Sequence, residues 1–178
     1  MVEQNDDLGE CTTLVLNRPI SRKANEDLAK LILFGLKTSA TSVSDRTQRL
    51  VNFLNAFEDT CAVYVGGPEE QEEPATLIHG ISGLEGAVEL SPYSNIFQGG
   101  LEAAIKGIMA GKYDPLEFRF FIGKHKYKEK MLQRMVYAGK YQPVACARSI
   151  ALKQCLSLPK PLWNEGERHL YIFKCCEN

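Results

Sequence analysis

The sequence predicts an α+β fold, a compact single domain in which a mixed β-sheet is flanked by helices. Three observations carry this expectation. Some segments repeat apolar residues at helical spacing, while others run apolar over four or five consecutive residues. Glycine, proline and asparagine punctuate the boundaries between them. The two kinds of segment are interspersed without a strict strand–helix–strand rhythm, which fits a mixed sheet better than an all-parallel one. A chain of 178 residues, 44% hydrophobic and 24% charged, has the size and composition of one globular domain with a substantial core.

The most regular stretch is residues 97–123, FQGGLEAAIKGIMAGKYDPLEFRFFIG. Leu101, Ala104, Ile105, Ile108 and Met109 share one helical face. Glu102 and Lys106 stand one turn apart on the other, in the favourable order for a solvated pair. Gly111 is placed to cap the helix, and Asp114-Pro115 makes a turn. Residues 118–122 then form a largely buried strand carrying one charge, Arg119, expected to be an ion-paired structural arginine. Gly99 and Gly100 precede the helix. Their amides are candidates for anion binding. The competing reading is a tight turn that needs glycine for steric reasons, and neither GxGxxG nor GxxxxGK[ST] is present.

Earlier in the chain, residues 12–16 (TTLVL) read as a strand ended by Asn17-Arg18-Pro19. Asn25 caps a helix with Glu26 and Asp27 in its first turn and Leu28, Leu31 and Ile32 on one face, stopped by Gly35. Residues 38–44 are linker-like. Ser44 caps a second helix with Leu50, Phe53, Leu54 and Phe57 in register. Residues 61–65 (CAVYV) form a strand ended by Gly66-Gly67-Pro68. An acidic loop of Glu69, Glu70, Glu72 and Glu73 follows, expected to be solvated. Strands are expected at 76–79, 86–90 and 95–98. After Gly123 come KHKYKEK and an amphipathic helix bearing Lys128, Met131, Leu132, Met135 and Val136, stopped by Gly139. An edge strand at 141–145, a short helix at 150–156 and a strand at 169–173 complete the reading.

Net charge is −1, so no bulk attraction to nucleic acid or anionic membrane is implied. No apolar run is long enough for a membrane helix. The N-terminus is acidic and has no signal-peptide core, which makes an intracellular, cytoplasmic protein the default. The six cysteines contain no CxxC and the three histidines are scattered, so no metal site and no cofactor are indicated. Cys11, Cys61 and Cys146 read as buried or tolerated thiols, and Cys175-Cys176 as a vicinal pair of open role.

Several ordered pieces together resemble the YqgE/AlgH family. They are LVLNRP (14–19), VYVGGP (63–68), LIH (77–79), FQGGL (97–101), the helix-turn-strand unit ending FRFFIG, Leu132 with Gly139, and Leu162-Trp163. The segment 35–59 resembles the eukaryotic, algal-like form. The resemblance implies a compact mixed α+β domain over residues 11–163, with an acidic, flexible segment at 1–10 and a divergent tail at 164–178. It implies a regulatory role without an agreed biochemical activity, and a plastid address if the chain is a piece of a longer precursor. Relatives carry an extra strand before LVLNRP, so TTLVL is expected nearer a sheet edge here. They also carry small and aromatic residues where this chain has the basic Lys124-His125-Lys126-Tyr127.

Three functional readings follow. The first is a non-enzymatic binding or regulatory domain acting through a protein partner or a small anionic ligand. Its candidate ligand-binding residues are Asn17, Arg18, Gly66, Gly67, His79, Gly99 and Gly100. The second is a weak nucleic-acid contact through residues 124–134, using Lys124, Lys126, Lys128 and Lys130. The third is an enzyme whose Asn17, Arg18 and His79 share a pocket, with Arg18 clamping an anion and His79 moving a proton. No GxSxG or HExxH supports a hydrolase and no catalytic residue is assigned; a Cys61–His79 or Cys146–His79 pair remains a matter of geometry.

Overall fold

The computed structural model describes residues 2–5, 10–36 and 43–153. In chain order the strands are β1 (Val2–Asn5), β2 (Glu10–Thr13), β3 (Pro19–Ser21), β4 (Ala62–Val65), β5 (Thr76–His79), β6 (Ala87–Glu89), β7 (Phe97–Gly99), β8 (Arg119–Ile122) and β9 (His125–Lys128). The helices are α1 (Glu26–Phe34), α2 (Val43–Phe57), α3 (Leu101–Met109), α4 (Glu129–Tyr137) and α5 (Arg148–Ala151). The larger sheet has six strands in the order β3-β4-β8-β5-β7-β6. Only β4 and β8 pair in parallel; the other neighbours are antiparallel, so the sheet is mixed. A smaller antiparallel sheet has the order β1-β2-β9.

The period-2 alternation of strand side chains sorts the core onto two faces. Val63, Leu77, Phe118, Phe120 and Ile122 pack on one face against residues of α1, α2 and α3. Ala62, Tyr64, Ile78 and Phe121 face the other way, against Leu14, Leu16, Leu90, Ile96, Leu116 and Leu152. Burial on both faces explains why β4 is a continuous apolar run and why β8 departs from one only at Arg119. The helical face is an aromatic cluster: Phe57 meets Phe118 and Phe120 edge-on at centroid distances of 6.1 and 5.1 Å, and Phe53 meets Phe120 at 5.4 Å. Such pairs contribute about 0.5–1.5 kcal/mol each beyond simple area burial.

Local signals explain the helix ends. Asn25 accepts from the Leu28 amide at 2.9 Å and caps α1, with Glu26 and Asp27 in the first turn. Gly111 is left-handed after α3, at φ +70°, and its amide bonds the Ile108 carbonyl. The Asp114-Pro115 turn is a 3-10 helix, Pro115–Glu117, closed by a reciprocal capping box between Asp114 and Glu117. Glu102 pairs with Arg49 of α2 at 2.9 Å, where the sequence suggested Lys106; the tertiary partner ties α2 to α3.

Several expectations are corrected. The TTLVL strand is shorter, ending at Thr13, and β2 is the central strand of the small sheet with partners on both sides. Residues 15–18 instead run beside the end of β4, with the Val15 amide on the Gly66 carbonyl and the Val65 amide on the Arg18 carbonyl. Pro19 opens β3 rather than only ending a strand, as an edge permits. Lys128 closes β9 instead of lying in the helix, because the HKYK alternation is that of a half-buried strand. Residues 142–147 form no strand. α2 begins at Val43, so Ser44 lies in its first turn. The helix expected at 150–156 instead starts at Arg148 and ends at Ala151. The strand expected at 169–173, residues 154–156 and Cys175-Cys176 lie outside the described residues.

Phe57→Ala should cost about 3–5 kcal/mol, since the ring is fully buried and its neighbours are rings that cannot collapse into the gap. Urea denaturation followed by near-UV circular dichroism measures it.

Candidate functional site

His79 ends β5 and is 0% exposed. Its Nδ1 accepts from the Ile81 amide at 3.1 Å, which requires that nitrogen to be unprotonated. The proton of the neutral ring therefore sits on Nε2, which donates to the Gly99 carbonyl at 3.2 Å. The ring stacks on Phe97 at 5.8 Å and tilts against Phe118 at 5.5 Å. Burial pushes its pKa down, against the backbone contacts to Gly99 and Ile81. Both nitrogens are thus used by the main chain, and the side chain holds β5 to β7.

Asn17 and Arg18 are exposed in the turn before β3. The Arg18 carbonyl bonds the Val65 amide, which places the turn level with Ile122 at the C-terminal end of β8. His79 is level with the N-terminal end of β8, because Ile78 pairs with Arg119. Four residues of strand separate the two levels, about 13 Å, and three strand spacings, about 14 Å, separate β3 from β5. Asn17 and Arg18 therefore do not converge with His79. Cys61 lies two strand spacings from His79, about 10 Å, and burial pushes its thiol up to about 12. That environment suits a packing residue and not a thiolate nucleophile. Cys146 is exposed and Cys11 buried.

The glycine pairs are explained by close approach. A Cβ on Gly67 would lie 2.2 Å from the Lys124 backbone carbon, and one on Gly66 would lie 2.2 Å from the Gly123 carbonyl oxygen. These glycines let the end of β4 pass against the β8–β9 connection, where Glu69 and Lys124 exchange backbone hydrogen bonds of 2.9 and 2.8 Å. Gly99 and Gly100 take positive φ values of 90° and 74°, and a Cβ on Gly99 would lie 2.8 Å from the Gly86 carbonyl oxygen. A tight strand-to-helix turn accounts for both.

The basic run divides into two parts. Lys124 meets a Glu70 oxygen at 2.6 Å, and Lys126 meets the other oxygen of the same carboxylate. Hydrogen bonds from Lys124 and then Lys126 hold the Glu70 carboxyl below the usual range. His125 lies 3.6 Å from Glu69. The acidic loop and the first half of the basic run thus neutralise each other, a pairing between distant segments that neither signals alone. Two candidate nucleic-acid residues, Lys124 and Lys126, are engaged within the fold.

The second half is different. Lys128, Lys130, Arg134 and Lys140 surround an open groove of ≈ 700 Å³ along α4. Its apolar lining is Met131, Met135 and Ala138, at i, i+4 and i+7. Among the described residues none of the four cations forms an ion pair. No residue of α4 with a described side chain is fully buried, and Met131 is 49% exposed. The expected helical register of Met131, Leu132, Met135 and Val136 is present; Leu132, Met135 and Val136 are half-buried, and α4 packs beside β9 and β2 of the small sheet. Arg134 ends the basic stretch 124–134 read from the sequence, whereas Lys140 was not singled out; it follows the Gly139 stop of the helix, and a lone lysine there carries no signal. Among the described residues no group of three or more His, Cys, Asp or Glu converges to hold a metal ion, and no helix is long and apolar enough to cross a membrane.

The model of the AlgH-like family matches residues 1–172, so the chain belongs to that family. Two solved structures share its fold. The protein DIP2367 from Corynebacterium diphtheriae aligns with a TM-score of 0.59 at 12% identity, covering 97% of this chain and 76% of that one. The AlgH protein from Pseudomonas aeruginosa aligns with a TM-score of 0.50 at 16% identity, covering 82% of this chain and 66% of that one, just under two thirds of its length. No curated protein is significantly similar in sequence.

The buried histidine makes a pH prediction. Its lowered folded pKa means that the unfolded chain takes up the proton first, so stability is full above the ordinary histidine pKa of about 6.5 and falls as pH drops below it. The melting temperature should decline from pH 7 to pH 5. His79→Gln should be less stable at pH 7.5 and show a shallower decline across that window. The Glu70 contribution has the same sign in a more acid window, since its depressed carboxyl pKa stabilises above about 4.3 and that stability is lost only below it, so the two windows separate. Gly67→Ala should cost about 1–3 kcal/mol or more at all pH values, because backbone, not a flexible side chain, blocks the methyl.

Proposed function

We propose that this AlgH-like chain is a non-enzymatic, intracellular binding and regulatory domain that engages an anionic partner on the α4 face. One observation carries the reading: Lys128, Lys130, Arg134 and Lys140 line a groove and form no ion pair among the described residues, while the neighbouring Lys124 and Lys126 share the Glu70 carboxylate. A basic run whose first two lysines are paired, and whose next four cations form no ion pair among the described residues, concentrates positive potential in one place despite a net charge of −1. The enzyme reading loses its support, because its proton carrier has both nitrogens committed to the backbone and its anion clamp lies at the other end of the sheet. The nucleic-acid reading keeps Lys128 and Lys130 of its four residues.

The test is fluorescence anisotropy with two labelled anionic probes, an oligoglutamate and a single-stranded oligonucleotide, at low salt. At least one should bind. The K128E/K130E/R134E/K140E variant should lose at least about tenfold in affinity, whereas Asn17→Ala and Arg18→Ala should match the parent. Binding that survives the charge reversal but is lost in Arg18→Ala would move the function to the turn before β3. Turnover of any substrate that is abolished by Arg18→Ala would restore the enzyme reading.

A further inference from the structure

From the composition of the same groove we infer the class of its partner: an acidic amphipathic helix of another protein, docking its apolar stripe on Met131, Met135 and Ala138 and its carboxylates on the four surrounding cations. This rests on the α4 face being the binding surface and adds the occupant. The argument starts from the floor. A surface built to hold a phosphate backbone needs cations, but gains nothing from thioethers between them. Met131 and Met135 are instead the side chains that suit apolar contacts of variable shape, being unbranched and polarizable. Their spacing, with Ala138, extends the stripe over two turns of α4, which matches the i, i+3, i+4, i+7 stripe of a helix lying alongside.

The cations fix the charge of the occupant. Lys128 and Lys130 lie at the N-terminal end of the groove, Arg134 lies midway and Lys140 lies past the C-terminal end, so a docked helix meets positive charge along its length. Aromatic platforms for stacked bases are not what the groove offers. Tyr127 and Tyr141 hydrogen-bond each other at 3.0 Å and pack edge-on, and neither lines the groove. Tyr137 is 89% exposed but is likewise absent from the lining. An apolar floor with a cationic rim and no stacking surface therefore favours an acidic helix over a single strand of nucleic acid.

The experiment uses the full chain and three labelled probes at about 0.15 M ionic strength. One is a synthetic peptide of about five helical turns, with leucines at i, i+3, i+4, i+7 and glutamates on the flanks. The second has the same composition in scrambled order, and the third is a single-stranded oligonucleotide. The ordered peptide should bind at least about tenfold more tightly than the scrambled one. Met131→Ser/Met135→Ser should erase that preference while leaving the circular dichroism spectrum that of a folded chain, because neither side chain is in the buried core. Lys128→Glu/Arg134→Glu should weaken both peptides. Equal binding of ordered and scrambled peptides, or oligonucleotide binding that ignores the methionine substitutions, overturns the helix but keeps an anion-binding surface on α4. Failure of all three probes overturns both.

Discussion

The parallel pairing of β4 with β8 is the constraint on which the rest of the structure depends. Ala62 to Val65 align with Arg119 to Ile122, and both strands are sandwiched between layers. Parallel strands cannot be joined by a tight turn. The chain must leave β4, build β5, β6, β7 and α3, and come back through the Pro115–Glu117 turn to lay β8 beside β4. The crossing-point demands follow from this return. β4 ends where β8 runs on into β9, and Gly66, Gly67 and Gly123 are the residues that let two backbones occupy that corner.

The same corner explains how charge is distributed. Because Glu69 pairs with Lys124 across the crossing, the acidic loop is brought over the start of β9, and Glu70 takes up Lys124 and Lys126. The exposed ion pairs themselves add little stability. Their larger effect is on where potential remains: it shifts to Lys128 and the residues of α4, beyond the reach of that loop. α4 is also thinly packed, resting on the small sheet and contributing no described residue to either buried cluster. The most stable part of the fold and its most available surface are therefore adjacent along the chain and distinct in space.

Much of the fold was legible in the residues because the strongest patterns are local. The period of Leu101, Ala104, Ile105 and Ile108, the Asn25 cap, and the apolar runs of β4 and β8 each specify their own element. β9 was not legible, because HKYK alternates ring and cation with too little apolar content to mark a strand. The supposed polar pocket failed for a long-range reason. Asn17, Arg18 and His79 sit in recognisable pieces of sequence, but strand order decides convergence, and that order places two strands between them. His79 shows the same limit: its partners are backbone groups of Gly99 and Ile81, and backbone partners leave no mark in a sequence. The α4 groove was half legible. The basic run as far as Arg134 and the Met/Leu/Val register were both visible, but not that Glu70 would pair with two of the lysines and that Lys140 would join the lining.

The central claim is that the polar residues of the sheet are structural and that recognition belongs to α4. Amide chemical shifts of isotopically labelled protein, followed while the acidic amphipathic peptide is added, test it residue by residue. The account predicts shifts concentrated between Lys128 and Lys140, with the amides of Arg18, Gly67, His79 and Gly100 unmoved. Shifts centred on Arg18 and Gly67, with α4 silent, would contradict it.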